Sequence, residues 1–131
     1  MLTLKLTFKK FFFAQNDKYL IMNRIYSQTL FKNKVNVVTG GGTGIGFGVA
    51  KGLVQLGSKV VIASRKPQVI NEAVENLRPY CTEYAEISGL TCDIRDRDSV
   101  SELIRMTLEK HGRLDGLCNN SGGQFHAKGI N

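Results

Sequence analysis

From Val35 onward, short apolar runs alternate with longer stretches whose apolar residues recur every three or four positions. Val35–Thr39 is apolar, ends at glycine and predicts a buried strand. Ile45, Val49, Leu53 and Leu56 then mark one face of a helix that Gly57 closes. Lys59–Ser64 predicts a second strand, and Pro67 suits the first turn of a second helix. That helix carries Val69, Ile70, Ala73, Val74 and Leu77 and stops before Pro79. Residues 87–93 predict a weaker third strand, interrupted by Gly89. Ser99 and Glu102 have the spacing of a capping box, with Asp96 and Asp98 as further capping candidates. Val100, Leu103, Ile104 and Leu108 form the third stripe, which ends near Gly112. Residues 114–118 predict a fourth strand, and a polar loop, Asn-Asn-Ser-Gly-Gly-Gln-Phe, follows it.

This βαβαβαβ order predicts an α/β fold with helices on both faces of a parallel sheet. Right-handed crossovers favour the strand order 3-2-1-4, the first part of a doubly wound, Rossmann-type fold. The chain reverses direction across the sheet between strands 1 and 4. Ligands bind beside such a switch point, at the C-terminal ends of the strands. Both the glycine-rich turn after strand 1 and the polar loop after strand 4 fall there. Asn36 is out of place in a central strand, so it is expected to be hydrogen-bonded or to face a tolerant edge.

Composition divides the 131 residues into a basic leader and one near-neutral domain, residues 35–131. Residues 1–34 hold seven basic side chains against Asp17 alone, while the rest holds 11 basic and 10 acidic ones. No basic stripe survives outside the leader, which argues against a nucleic-acid partner. The leader is basic and acid-poor, as targeting peptides are. Its single arginine, Arg24, and its few serines fit a plain or disordered N-terminal extension instead, with Met22 as a second candidate start. No run approaches the ~18 apolar residues of a membrane span. Cys81, Cys92 and Cys118 show no CxxC spacing. They read as free thiols in a reducing compartment, with neither a disulfide framework nor a metal site.

The candidate chemistry lies in the glycines. Gly40, Gly41, Gly42, Gly44, Gly46 and Gly48 crowd between a strand and a helix start. An ordinary turn of this kind needs only one or two residues at positive φ. Six suggest close approach of a ligand, with backbone N–H groups and the helix dipole directed at a pyrophosphate. Cofactor choice is read at the end of strand 2. An acid there binds the ribose 2′-hydroxyl of NAD. Ser64, Arg65 and Lys66 stand there instead, with no acid until Glu72. A guanidinium binds a 2′-phosphate in bidentate fashion, so NADPH is expected over NADH.

Thr39-Gly40-x-x-x-Gly44-Ile45-Gly46 has the TGxxxGxG form and resembles the short-chain dehydrogenase/reductase family. Three further stretches are similar: Cys-Asp-Ile around Asp93, Ala-Ser-Arg-Lys at the end of strand 2, and Asn119-Asn120-Ser121-Gly122. The resemblance runs from about residue 34 to 125. It implies that Asp93 lies on the adenine side, that Asn119 steadies the sheet and borders the cofactor, and that Ser121 and Gly122 do likewise. The glycine phrase and the Asn-Asn-Ser-Gly-Gly-Gln-Phe loop are most similar to peroxisomal trans-2-enoyl-CoA reductases. Much of the first phrase is shared with 2,4-dienoyl-CoA reductases. Both groups reduce a carbon–carbon double bond in a fatty acyl-CoA with NADPH. Gln124 and Phe125 are then expected on the substrate side, or simply packed in their loop. His126 reads as a surface residue.

The family's Y-x-x-x-K pair has no counterpart in these residues. Tyr80 and Tyr84 come too early, and no lysine follows either by four positions. The chain therefore reads as the cofactor-binding part of an enoyl-CoA reductase, truncated after the fourth strand, with no catalytic residue of its own. A different kind of protein, a non-catalytic nucleotide-binding module, is the alternative. The resemblance implies homo-oligomers and a peroxisomal setting, with mitochondrion and cytoplasm as alternatives.

Overall fold

The computed structural model describes residues 26–122. A parallel four-stranded sheet forms its centre, in the order β3-β2-β1-β4. The strands are β1 (Val35–Thr39), β2 (Lys59–Ser64), β3 (Glu86–Thr91) and β4 (Gly116–Asn119). The helices between them are α1 (Gly44–Gln55), α2 (Pro67–Leu77) and α3 (Arg97–His111). A single 3-10 turn, Arg78–Tyr80, follows α2. This is the expected doubly wound arrangement, with β1 paired to β2 and β4.

The pleat of the sheet sorts the core into two layers. Val38, Val60 and Ile62 point to one face, where Ala50 and Val54 of α1 and Ile70, Ala73 and Leu77 of α2 cover them. Val37, Val61 and Ala63 point to the other, against Leu103 of α3 and Cys92. Each such side chain, fully buried, contributes roughly 1.5–3 kcal/mol. β1 and β2 are buried on both faces, which is why they read as continuous apolar runs.

The stripe of α2 is as expected, with Ile70, Ala73 and Leu77 buried, whereas that of α1 is displaced by one position and that of α3 differs in part. In α1 the buried line is Gly46, Ala50 and Val54, and Ile45 is 79% exposed. Small residues face the sheet because the helix runs close to it. Val49 and Leu53 only flank the contact. In α3 the buried pair is Leu103 and Thr107, while Leu108 is exposed. Thr107 is tolerated there because its hydroxyl donates to the Leu103 carbonyl at 2.8 Å.

Ser99 is not the cap of α3. Asp96 is, accepting from the Asp98 N–H at 3.1 Å. Ser99 Oγ instead accepts from the Asp93 N–H at 3.0 Å, and Glu102 is paired with Arg105. β3 ends at Thr91, two residues early, because the chain turns at Asp93, whose carbonyl accepts from the Asp96 N–H. Gly89 does not weaken β3 as it weakens the sequence pattern. A Cβ there would collide with Ile70, so the glycine is what lets α2 settle on the strand.

Asn36 donates to Ser58 Oγ at 2.7 Å. Its other amide atom lies over Gly116, where any Cβ would collide with it. Residues 26–34 form turns at the same end of the sheet. Phe31 N–H donates to the Leu56 carbonyl at 2.9 Å, and Lys32 Nζ sits 3.9 Å from the Tyr84 ring centre. The leader before residue 26 lies outside the described residues. No helix among the described residues is long and apolar enough to cross a membrane.

Candidate nucleotide-binding site

The turn after β1 and the loop after β4 are joined by one side chain. Thr39, buried at the end of β1, accepts from the backbone N–H groups of Asn120 and Ser121, each at 3.1 Å. Its hydroxyl donates to the Cys118 carbonyl at 3.3 Å. A second link comes from Asn120, whose Nδ2 donates to the Gly40 carbonyl at 3.3 Å. Gly40 N–H in turn donates to the Ala63 carbonyl at 2.7 Å, fixing the turn to β2.

This frame explains two glycines in opposite ways. Gly46 faces inward, and a Cβ there would strike the Gly40 carbonyl and the Asn120 amide. Gly44 faces outward, with φ of +55° and no atom within 4 Å of a would-be Cβ. The first is glycine for close packing; the second for a left-handed backbone beside open space.

α1 starts immediately behind that open space. Its N-cap, Thr43, makes no side-chain capping bond, and its first turn holds no acid. The opening N–H groups therefore keep their hydrogen-bonding capacity and the positive end of the helix dipole. Ile45 is exposed on this turn. Together they form a cradle suited to an anion.

Next along the sheet edge, Ser64 closes β2 and is half-buried, while Arg65 and Lys66 are exposed. Neither cation has an ion pair among the described residues. Lys66 is the N-cap of α2, with Pro67 in its first turn. Asp93 follows β3 on the adjacent strand. Arg95 grips its carboxylate, with Nε at 2.9 Å from Oδ1 and a terminal nitrogen at 2.6 Å from Oδ2. The Arg95 N–H adds a bond to Oδ1 at 3.0 Å. These bonds hold the Asp93 carboxyl well below the usual carboxylate range, with a smaller contribution from the charge of Arg65.

The structure thus brings Thr39, Gly40, Gly44, Ile45 and Gly46 together with Ser121 at the switch point, and sets Ser64, Arg65, Lys66 and Asp93 at the neighbouring strand ends. Asn119 is exposed, and its side chain makes no hydrogen bond among the described residues. Gly122 is exposed at the end of the loop. Gln124, Phe125 and His126 lie outside the described residues. Sequence reasoning missed Asn120 and Arg95. Asn120 could have been found from the strand order, which sets its amide against the glycine turn. Arg95 stands two residues after Asp93, the spacing at which a carboxylate closes on the backbone ahead of it.

Known proteins share this arrangement. The family described as "short chain dehydrogenase" matches residues 34–130. A peroxisomal 2,4-dienoyl-CoA reductase from Danio rerio is 37% identical over 101 residues, covering 77% of this chain and 33% of that protein. A 3alpha-hydroxysteroid dehydrogenase from Mediterraneibacter gnavus is 36% identical over 93 residues, covering 71% of this chain and 37% of that protein. The solved structure of a metagenomic short-chain oxidoreductase in complex with NADP is similar at a TM-score of 0.68 and 29% identity, covering 74% of this chain and 42% of that one. The chain spans about a third of the length of the curated relatives it matches.

Proposed function

We propose, because the chain belongs to the short-chain dehydrogenase family, that it binds NADPH for the reduction of a double bond in an unsaturated fatty acyl-CoA. The observation that carries the cofactor reading is the pair Arg65 and Lys66, exposed and without ion pairs among the described residues, where an NAD site needs an acid. Similarity to a structure holding NADP supports it. Similarity to a peroxisomal 2,4-dienoyl-CoA reductase supports the acyl-CoA substrate and a peroxisomal setting.

The residues present fit the cofactor. The uncapped start of α1 and the open side of Gly44 suit a pyrophosphate. Arg65 and Lys66 suit the 2′-phosphate, and Asp93 the adenine side. Thr39, Asn120 and Gly46 hold the cradle in shape from behind. Ser121, Gly122 and Asn119 border it toward the nicotinamide, with Gln124 and Phe125 on the substrate side. Bound NADPH supplies a hydride. This chain's part is to hold and orient the cofactor; the proton that accompanies hydride addition has no donor in these residues of the Y-x-x-x-K kind.

Calorimetric titration of NADPH and NADH against the wild type and Arg65→Ala tests this. The wild type should prefer NADPH. Arg65→Ala should weaken NADPH binding by about 1.5–3 kcal/mol, the cost of a charge-assisted contact, and leave NADH nearly unchanged. Equal affinities in the wild type, or a preference that survives the substitution, would overturn the reading.

A further inference from the structure

We propose that Arg95 is a positioning residue of the nucleotide site: it holds the Asp93 carboxylate in a charge-neutral pair, so that Arg65 meets a ribose 2′-phosphate unopposed. The inference rests on the nucleotide reading above and adds a residue to it.

The backbone sets the geometry. Ser64 and Thr91 are register partners on β2 and β3, and Cys92 N–H donates to the Ser64 carbonyl at 2.9 Å. Arg65 follows Ser64 directly, and Asp93 stands two residues after Thr91, beyond the buried Cys92. Arg65 and Asp93 leave the same end of neighbouring strands, which lie about 4.8 Å apart, and the charge of Arg65 reaches the Asp93 carboxylate. An ionised, unpaired Asp93 would present a full negative charge beside the guanidinium that must attract a dianion. It would neutralise Arg65 and repel the phosphate.

Arg95 removes that conflict. Asp93 N–H is anchored to Ser99 Oγ, so the residue's backbone is fixed to the first turn of α3. Arg95 then engages both carboxylate oxygens in a fork. Oδ1 accepts from the Arg95 N–H and Nε, and Oδ2 accepts from the terminal nitrogen and, at 3.2 Å, from Nε. Asp93 is therefore oriented as an acceptor and cancelled as a charge. The pair is largely exposed, 62% at Arg95 and 32% at Asp93. Ion pairs this open add little to folding, so the effect belongs in binding.

The test uses adenosine 2′,5′-bisphosphate and 5′-AMP, which differ by the 2′-phosphate alone, titrated calorimetrically against residues 1–131. The wild type should prefer the bisphosphate. Arg95→Ala should reduce that preference by about three- to thirtyfold at low salt, and less at 0.5 M salt. Adding Asp93→Asn to Arg95→Ala should restore it, because the uncovered charge is gone. Arg95→Lys should retain most of it. Should Arg95→Ala fail to fold by circular dichroism, Arg95→Gln takes its place under the same criterion. A ratio unchanged by Arg95→Ala, or not restored by Asp93→Asn, would overturn the proposal while leaving the nucleotide site standing. A wild type that binds neither nucleotide would overturn the site itself, and this proposal with it.

Discussion

The two ends of the sheet are built from the same strands and treat their polar groups in opposite ways. At the N-terminal end of β1, Asp115 accepts from the Val35 N–H and the Arg113 guanidinium, both at 2.8 Å. Those contacts, Arg113 first, hold its carboxyl well below the usual carboxylate range. Ser58, fully buried, meets Asn36 and the Lys34 carbonyl. These groups are all partnered with one another, within the fold. At the C-terminal end, an inner ring of Thr39, Gly40, Gly46 and Asn120 is equally closed. Around it the α1 N-terminus, Arg65 and Lys66 stay open. A polar group that is already partnered stabilises the fold; one held in place without a partner is available for binding. The difference locates the site more firmly than residue type does, since both ends carry glycine, asparagine and charge.

The largest effect should come from breaking the closed ring at the binding end. Gly46→Val places a branched side chain where the Gly40 carbonyl and Asn120 amide already sit. The Gly40 carbonyl is main chain and cannot withdraw cheaply, and the Asn120 amide could move only by giving up its bond to that carbonyl. A loss of about 3 kcal/mol or more of stability is expected, at the upper end of overpacking. Gly44→Ala is the matched control. It meets no atom, so its cost is the left-handed backbone, about 1–2 kcal/mol. Urea melts and NADPH titrations of both variants check the contrast. Gly44→Ala should stay folded and bind weakly, whereas Gly46→Val should lose both properties. A Gly46→Val chain with wild-type stability would mean that the two loops are not locked together.

These same positions show what was legible in the sequence. The strand order and the glycine turn could be read because burial on both faces leaves continuous apolar runs, and because glycine has few uses. The inward face of α1 could not. A periodic search follows the large residues Ile45, Val49 and Leu53, but a helix lying this close to a sheet turns its small ones, Gly46 and Ala50, inward. Thr107 escaped because its polarity is cancelled by a bond to its own helix, which sequence spacing does not reveal. Ser99, Asp96 and Asp98 all stood as capping candidates for α3 because Ser and Asp both cap, and only the fold shows that Asp96 caps while Ser99 serves Asp93. Asn120 and Arg95 were missed because each acts on a neighbour rather than on a ligand.

A middle-sized effect should appear at the closed end. Ser58→Ala removes the acceptor of the Asn36 amide and the hydroxyl beside the Lys34 carbonyl. Leaving these groups unpaired should cost about 1–3 kcal/mol. NADPH affinity should not move, because the whole length of the sheet separates Ser58 from the cradle. Chemical denaturation and titration on one preparation measure both quantities. A drop in affinity without a drop in stability would dissolve the distinction between the two ends.

The smallest effect concerns His111, at the C-terminal turn of α3, again on the closed side. Its Nε2 is buried without a partner among the described residues. Burial pushes the imidazole below its ordinary value; Glu86 opposes this, while Lys110 and Lys59 reinforce it. A group whose folded pKa is depressed binds protons more readily in the unfolded chain. Its contribution is therefore fully present above the unfolded value of about 6.5 and is lost as pH falls from there through the lower folded value. Thermal melts from pH 7.5 to 5.5 should show a modest fall in the midpoint for the wild type. This window lies above the carboxylates, including Glu86, whose pKa is itself lowered by its bond to Lys110. His111→Gln should flatten the curve, since it removes the titrating group and keeps a side chain of similar polarity. A midpoint that rises on acidification would reverse the sign, and would mean that Glu86 outweighs burial at this corner. The lone unsatisfied nitrogen would then be a partner in waiting for that carboxylate, and the closed end would hold a proton-sensitive contact of its own.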